Sequence, residues 1–153
     1  MCMPDQPGTS RRLDHVGLNV ADLDAAARWY AEAFGYVREL ELRIDPVQLE
    51  IVMLVHPERG DRLELLHRPG SRPGLRADSP PEAVLTEGFG HICFDVAGVD
   101  AHVERLVSLG ARLVTAPRPS PEPNVRMAFV ADPEGNLVEL LDRSSGTSDR
   151  VDA

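Results

Sequence analysis

The chain has 153 residues and a mass of 16.8 kDa, the size of one ordinary domain, which excludes two large independent domains. Its hydrophobic fraction of 42% and charged fraction of 27% are typical of a soluble globular protein and exclude a disordered tail or a fibre. Sixteen basic residues against twenty-five acidic ones give a net charge of −9. This charge argues against binding to nucleic acid or to an anionic membrane surface.

Two further features bear on where the protein is expected to work. No apolar run approaches the roughly 20 residues that span a bilayer, and the first eight residues lack the charged and apolar regions of a signal peptide. The two cysteines, Cys2 and Cys93, fall in the N-terminal tail and in a predicted strand, so we expect no disulfide framework. The sequence therefore predicts a cytoplasmic protein with no membrane partner and no nucleic-acid partner.

The first predicted module covers about residues 12–68 and follows a polar segment, 1–11, that we expect to be flexible. Alternating residues predict a strand over 13–20. Asp22 can cap the next segment, where apolar residues recur with the 3.6-residue period of a helix until Gly35 ends it. Three strand-like runs follow, at about 36–44, 48–56 and 62–68.

A stretch rich in proline, glycine and arginine, 69–87, predicts a linker to a second module over about 88–143. In this module 89–96 is strand-like and 99–109 has the apolar periodicity of a helix. Three strands are predicted after it, at about 111–115, 125–131 and 136–142. The last residues, 144–153, are polar and aperiodic, and we expect a flexible C-terminal tail.

The two modules repeat one another. The segment from Leu13 to Val20 is echoed from Phe89 to Val96, which places His15 and His91 at matching positions. Near the end of each module, Glu64 and Glu139 match in the same way. The element order is βαβββ in both modules. We therefore predict an α+β fold with two four-stranded sheets, each carrying a helix on its outer face.

Strand alternation predicts which side chains share a face of each sheet. His15 and His91 alternate with the apolar residues that would pack under the helices, so we expect both histidines on the other, concave face. Glu139 is flanked on its own face by Leu137 and Leu141. A carboxylate in such a run is costly to bury unless a positive or hydrogen-bonding group meets it, which makes Glu139 the sharper sign of a functional site.

Each of these residues alone has an ordinary structural explanation. A strand histidine is more often a hydrogen-bonded structural group than a metal ligand, and a strand glutamate is more often solvated or paired with arginine. The four together differ, because two imidazoles and two carboxylates at matching positions of a duplicated unit suit a divalent ion that prefers N and O ligands. We expect His15, Glu64, His91 and Glu139 to converge on one such ion where the two modules meet.

At these motifs the chain resembles the vicinal oxygen chelate (VOC) superfamily, which includes glyoxalases, methylmalonyl-CoA epimerases, extradiol dioxygenases, and fosfomycin- and bleomycin-resistance proteins. Residues 13–16, 90–92 and 128–140 carry the resemblance, which treats about 12–143 as a single VOC domain. It implies that two βαβββ modules form a half-barrel around one divalent ion, held from the first and fourth strands of each module. The implied metal ligands are His15, Glu64, His91 and Glu139.

The ligand set is similar to that of only some subfamilies. His/Glu/His/Glu resembles bacterial lactoylglutathione lyase (glyoxalase I), which uses nickel, cobalt or zinc. Methylmalonyl-CoA epimerases usually carry Gln at the position of Glu64, extradiol dioxygenases use an iron site without a fourth protein ligand, and bleomycin-binding members lack the ligands. Glyoxalase I typically has Arg and Asn where this chain has Asn19 and Arg68, which disfavours glutathione as the substrate.

The leading hypothesis is a divalent-metal-dependent lyase or isomerase, epimerases included, acting on a small oxygenated metabolite. One ion, Ni, Zn, Co, Mn or Fe, would stabilise the enediolate formed when a proton leaves the carbon next to a carbonyl. Glu139 is the first choice for the catalytic base and Glu64 the second, because apolar surroundings favour proton uptake by a carboxylate.

Substrate binding is assigned to polar residues near the predicted site. Arg68, Arg118 and Arg126 could each hold a substrate carboxylate through paired hydrogen bonds, and Asn19 occupies a substrate-contacting position of the family. We expect substrate identity to depend on the proline-rich loop 117–124 and on the linker. Family members often dimerise, so we expect a homodimer; the sequence leaves open whether the site is completed within one chain or across two.

Two other function classes stay open at this point. One is an Fe(II)-dependent dioxygenase of the same superfamily, which oxygen consumption with iron, and none with nickel or zinc, would favour. The other is a non-catalytic protein that binds a small molecule or an antibiotic and so confers resistance. Ligand binding that persists after chelation of metals would favour this second alternative.

Overall fold

The computed structural model describes residues 12–144, so the predicted tail 1–11 and residues 145–153 of the second predicted tail lie outside the described residues. The first module contains β1 (Val16–Asn19), α1 (Leu23–Phe34), β2 (Val37–Ile44), a 3-10 turn (Asp45–Val47), β3 (Leu49–Val55) and β4 (Arg62–His67). After the linker helix α2 (Pro80–Ala83), the second module contains β5 (His91–Asp95), α3 (Val99–Ser108), β6 (Arg112–Pro119), β7 (Arg126–Ala131) and β8 (Leu137–Asp142).

The strands form two four-stranded sheets with the same connectivity. Their orders are β1-β4-β3-β2 and β5-β8-β7-β6. In each sheet the first and fourth strands of the module run parallel, and the other neighbours run antiparallel. The predicted α+β class and the duplicated βαβββ order are therefore confirmed.

Local chemistry explains where α1 begins and ends. The side chain of Asp22 accepts a hydrogen bond from the backbone N–H of Ala25 at 2.9 Å, which caps the first turn. Gly35 adopts the left-handed conformation with φ 77° and its N–H bonds to the carbonyl of Ala31. This segment agrees with the helix that the sequence predicts.

Several strand boundaries differ from the predicted ones. β1 and β5 are shorter than 13–20 and 89–96, because only their central residues have a partner in β4 or β8. His15 therefore lies immediately before β1. β6 is longer than 111–115 and continues beside β7 through two register shifts, since a bulge lets a strand with irregular residues keep its partner. The short helix α2 was not predicted; Ser79 caps it and Pro80 opens it.

One hydrophobic core joins the two modules. Buried residues on the helix side of both sheets belong to it, including Leu65 on β4 and Leu140 on β8, each with no exposed surface. Phe34 of α1 stacks on Phe94 of β5 with ring centroids 3.9 Å apart. Because side chains alternate along a strand, the opposite faces of the two sheets lie outside this shared core.

A polar contact also crosses between the modules. The carboxylate of Glu134, in the turn between β7 and β8, accepts hydrogen bonds from the backbone N–H groups of Ala21 at 2.9 Å and Asp22 at 3.0 Å. These are donors at the start of α1, where a negative charge is favourable.

No helix within residues 12–144 is both long enough and apolar enough to cross a membrane.

Candidate metal centre

The first module presents one His–Glu pair on the face opposite its helix. His15 precedes β1, and Glu64 lies on β4, which is the parallel neighbour of β1. Their side chains meet with Nε2 of His15 3.3 Å from Oε2 of Glu64, and they are 37% and 19% exposed. Arg62, on the same strand as Glu64, makes a two-point ion pair with Glu39 instead.

The second module presents the matching pair. His91 opens β5 and Glu139 lies on β8, again on parallel neighbouring strands. Nε2 of His91 lies 3.0 Å from Oε2 of Glu139, and the side chains are 42% and 16% exposed. The ring of Phe129, itself buried, meets the His91 ring edge-on with centroids 5.3 Å apart. Each predicted histidine therefore meets the predicted glutamate of its own module.

Asp14 orients the ring of His15. Nδ1 of His15 hydrogen-bonds Oδ2 of Asp14 at 2.8 Å, and this bond is the main reason that the pKa of His15 is raised above its ordinary value of 6.5. The same bond lowers the pKa of Asp14. With Nδ1 donating, a neutral ring directs the lone pair of Nε2 toward Glu64, which is the arrangement of a metal-binding histidine held by an outer carboxylate.

The spacing within each pair suits two ligands of one ion. Ligand atoms about 2.1 Å from a cation and at right angles to each other are about 3.0 Å apart. The Nε2–Oε2 distances of 3.3 Å and 3.0 Å are close to this value. Imidazole nitrogen with carboxylate oxygen is a donor set for Zn, Ni, Co, Mn or Fe, so the residues fit the divalent ion that the sequence predicts.

The two pairs do not come together within the described part of one chain. Among residues 12–144, no three His, Cys, Asp or Glu side chains lie close enough to hold one ion. The expected convergence of four ligands is therefore not found inside a single copy. The described residues instead form two separate His–Glu pairs, His15 with Glu64 and His91 with Glu139, on the sheet faces that point away from the shared core; each pair is called a half-site because it contains two of the four predicted ligands.

Cys93 is a further neighbour of the His91–Glu139 pair. It stands opposite Glu139 in the parallel pairing of β5 with β8, so its thiol lies on the same face as that carboxylate. Desolvation of the thiol, with the adjacent Glu139 charge, raises the pKa of Cys93 to about 12. The shared face of Cys93 and His91 was visible in the alternation, but the contact with Glu139 requires the strand register.

The predicted substrate-binding residues are placed differently from one another. Arg118 pairs with Met127 in the β6–β7 register, which sets it on the same side of the sheet as Glu139. Arg68 follows β4 directly and is exposed. Neither arginine has a carboxylate partner among residues 12–144. Asn19 ends β1 and lines a cavity that also reaches His91.

Arg126 is placed away from both half-sites. Its guanidinium makes a two-point ion pair with Asp100 at the start of α3, at 2.6 Å and 2.8 Å. Arg126 is opposite Asp142 in register and so lies on the helix side of the sheet, whereas Glu139 faces the other side. The structure does not bring Arg126 to the His91–Glu139 pair, because strand parity sends the two side chains to opposite faces.

A cavity of about 510 Å³ lies between β1 and β5. The linker forms part of its wall, together with residues of both modules. The linker, which is expected to determine substrate identity, therefore lies at this cavity, and its proline and arginine content is the sequence signal that marks it. The lining residues that matter below are Gly17, Asn19, Arg72, Arg76, Phe89 and His91.

Known proteins with similar sequences include metabolic enzymes. A probable lactoylglutathione lyase from Synechocystis is 26% identical over 133 residues, which cover 86% of this chain and 95% of that protein. An ethylmalonyl-CoA/methylmalonyl-CoA epimerase from Cereibacter sphaeroides is 29% identical over 136 residues, which cover 84% of this chain and 96% of that protein.

Solved structures that are similar to this chain include a glyoxalase family protein. The crystal structure of a glyoxalase family protein from Bacillus cereus superimposes with a TM-score of 0.72 at 25% identity, covering 92% of this chain and 98% of that one. Residues 12–140 match the characteristic sequence pattern of one superfamily, and this confirms the resemblance carried by the His15, His91 and 128–140 motifs. The chain belongs to the Glyoxalase/Bleomycin resistance protein/Dioxygenase superfamily.

Proposed function

We propose that the protein is a divalent-metal-dependent lyase or isomerase, epimerases included, whose metal centre is built by two copies of the chain. The observation that carries this proposal is the pair of matched half-sites, His15 with Glu64 and His91 with Glu139. Each half-site supplies one nitrogen and one oxygen ligand. Two half-sites, one from each copy, would complete a four-ligand centre with positions left for substrate oxygens.

The half-sites themselves favour a cation. In the first, Asp14 accepts a hydrogen bond from Nδ1–H of His15, so Nε2 is the ring atom that faces Glu64. Two electron-rich atoms 3.3 Å apart need a proton or a positive ion between them. A divalent ion satisfies both atoms at once and relieves the cost of holding a mostly buried carboxylate.

The open face of the first sheet supports a second copy as the source of the missing ligands. Leu40, Leu42 and Ile44 of β2 are 48%, 48% and 44% exposed. Through β3 they share the face of Glu64, since Leu40 pairs with Met53 and Met53 pairs with Glu64. Apolar residues around a half-site suit an interface. A two-fold dimer would then contain two equivalent centres.

The surroundings of Glu139 support it as the base in the proposed reaction. A cation in this centre would supply positive charge to an oxygen next to the carbon that loses its proton. We propose that Glu139 accepts that proton, since buried Phe129 lies opposite it on β7 and limits the access of water. Glu64 is the second candidate for the base, because it occupies the matching position.

The relatives indicate which substrates to assay. The names of the similar proteins specify lactoylglutathione and the thioesters ethylmalonyl-CoA and methylmalonyl-CoA. Asn19 and Arg68 replace the Arg and Asn expected for glutathione binding, so we propose small acyl thioesters and related organic acids ahead of glutathione adducts. Exchange of the substrate's α-proton with deuterated water would detect either a lyase or an epimerase.

A subunit-mixing experiment tests the shared centre. One variant removes the first half-site, His15→Ala with Glu64→Ala, and the other removes the second, His91→Ala with Glu139→Ala. In each homodimer both centres lack one half-site, so neither is complete. In a heterodimer of the two variants, one centre receives both intact half-sites, and the other centre has lost all four ligands. We expect cobalt absorbance to be lost in both homodimers and to return in the heterodimer to half the wild-type amount.

His102→Ala is the matched control, because His102 lies on α3 and, in the described part of the chain, its ring bonds the Gly98 carbonyl at the helix start and lies in neither half-site. It should leave cobalt binding at the wild-type level. A heterodimer that binds no cobalt would contradict a centre shared between copies. Full cobalt binding by either double-variant homodimer would contradict the assignment of the ligands.

A further inference from the structure

The cavity between the modules is bordered by two strand edges that have no partner strand within residues 12–144. β1 and β5 are the outer strands of their sheets. The N–H of Val20 bonds to Leu66 and that of Val96 bonds to Leu141, so the alternate residues of β1 and β5 direct their backbone groups away from the neighbouring strand. Gly17 and Asn19 are such residues and line the cavity. Their N–H groups are donors available to a ligand.

Arg76 is held in position at the cavity by the second module. Its Nη1 bonds to the carbonyl of Leu75 at 2.9 Å and to Oδ1 of Asn136 at 3.3 Å. Its aliphatic part crosses Gly135 so closely that a Cβ there would lie 2.5 Å from Cδ of Arg76. Arg76 is exposed, and the hydrogen bonds that its guanidinium makes within residues 12–144 go to these two neutral acceptors.

The charge at the cavity wall is uncompensated. Arg72 and Arg76 both line it, and neither has a carboxylate partner among residues 12–144. Seven arginines elsewhere within residues 12–144 do have one: Arg38, Arg43, Arg59, Arg62, Arg112, Arg126 and Arg143. The wall also contains His91 and one carboxylate, Glu134, whose oxygens already accept the N–H groups of Ala21 and Asp22. In a chain of charge −9, two exposed guanidinium groups at one cavity, neither paired with a carboxylate of residues 12–144, favour an anionic ligand.

The rest of the wall is apolar. Val16, Leu18 and Leu75 contribute aliphatic surface, and Phe89 presents a fully exposed ring beside His91. A volume of about 510 Å³ is within the range of small-molecule sites. A ligand of matching chemistry has an anionic group at one end and an apolar body that extends toward His91.

We infer that this cavity binds the anionic end of a small organic molecule, a carboxylate or a phosphate, through Arg72 and Arg76. The inference rests on the proposed function in one respect: because His91 belongs to both the cavity and a half-site, the bound molecule is the substrate of that centre. Substrates are then organic anions, and the linker arginines select them by charge.

The test uses the full-length protein, stripped of metal with a chelator, and two pairs of probes. Each pair compares an anion with a neutral analogue: 2-oxobutyrate with its methyl ester, and glycerol 3-phosphate with glycerol. NMR signals of arginine Nε–H groups and of the Gly17 and Asn19 amides report binding. We expect at least one anion, and neither neutral analogue, to shift the Arg72 and Arg76 signals; which anion binds separates carboxylate from phosphate.

Variants then test the two side chains. Loss of a charge-assisted hydrogen bond predicts that Arg72→Gln and Arg76→Gln each weaken anion binding about fivefold or more. Arg28→Gln is the matched control, since Arg28 is an exposed arginine on α1 outside the cavity. Arg72→Gln keeps the test valid if Arg76→Gln disturbs the turn at Gly135. Anion binding unchanged in both variants, equal binding of the neutral analogues, or no binding of either anion would overturn the inference.

The metal centre and the anion site can be contradicted independently of each other. Arg72→Gln should bind cobalt as the wild type does, because Arg72 supplies no metal ligand. Anion binding in protein that never binds cobalt would contradict the metal centre and leave the anion site standing. Cobalt binding with no response to either anion would contradict the anion site alone.

Discussion

The hydroxyl of Tyr30 donates a hydrogen bond to Oδ2 of Asp132 across 3.0 Å, and this bond joins α1 of the first module to the β7–β8 turn of the second. Both residues are buried, at 1% and 5% exposure. Asp132 also accepts bonds from the backbone N–H groups of Glu134 and Asn136 and from the Asn136 amide. A buried carboxylate needs such partners, so Tyr30 contributes to holding the two modules together.

Tyr30→Phe tests this contact. The change leaves the Asp132 carboxylate buried with one donor fewer, and we expect the free energy of unfolding to fall by about 1–3 kcal/mol. Tyr36→Phe is the comparison within one module, because Tyr36 donates to Asp61, which Arg59 also contacts. Its loss should be smaller, since Asp61 is exposed and keeps an ion pair. Urea unfolding measures both; a Tyr30→Phe protein as stable as the wild type would contradict the role of the bond.

The two tyrosines also predict a dependence of stability on pH. Burial, with the adjacent Asp132 carboxylate, raises the pKa of Tyr30 well above its ordinary value of 10.0. Burial and the bond to Asp61 raise the pKa of Tyr36. Since these are the only tyrosines, the native protein should show no tyrosinate absorbance at pH 10, whereas the urea-unfolded chain should titrate near that pH.

The sign of the effect on stability follows from proton binding. Above pH 10 the native state retains phenol protons that the unfolded state has lost, so the free energy of unfolding must fall as the pH rises. Below pH 10 the two phenols are protonated in both states and contribute no slope. Tyrosinate absorbance that appears in the native protein near pH 10, without unfolding, would show that these side chains are accessible to water.

The sequence predicts most of the fold because its repeat is a repeat of local patterns. The alternation around His15 and His91 and the apolar period of α1 each reflect one element, and those elements formed as predicted. The strand ends did not, because pairing decides them: β6 continues beside β7 through bulges that no single-strand pattern encodes. α2 was missed because its four residues are too short for a periodic signal.

In the candidate site, too, the sequence predicts the contacts within each module but not the arrangement of the two modules. Parallel pairing of the first and fourth strands brings His15 to Glu64 and His91 to Glu139, which matched positions in a repeat can anticipate. The separation of the two pairs depends on how the modules pack, through contacts such as Phe34 with Phe94. These contacts lie between distant parts of the chain. The position of Arg126 on the face opposite Glu139 became visible only with the strand register.

Gly135 and Gly60 occupy equivalent turns, before β8 and before β4, and both have positive φ, 90° and 76°. Alanine is strained at either position by about 1–2 kcal/mol. Only at Gly135 would the new Cβ also clash with Arg76, since nothing lies within 4 Å at Gly60. We expect Gly135→Ala to be the more destabilising change in thermal unfolding. In an Arg76→Ala background the difference should disappear; if it persists, the Arg76 contact is not its cause.

Glu139→Gln separates the role of base from that of ligand. The amide keeps the shape of the side chain beside Phe129 and Cys93 but cannot take up a proton. We expect normal unfolding, cobalt binding that is weakened and still present, and a loss of α-proton exchange of at least about 100-fold, the usual contribution of a catalytic base. Glu64→Gln should weaken cobalt binding similarly while retaining more of the exchange. An equal loss of exchange in the two variants would contradict the preference for Glu139 over Glu64 as the base. Full exchange in Glu139→Gln would exclude Glu139 as the base.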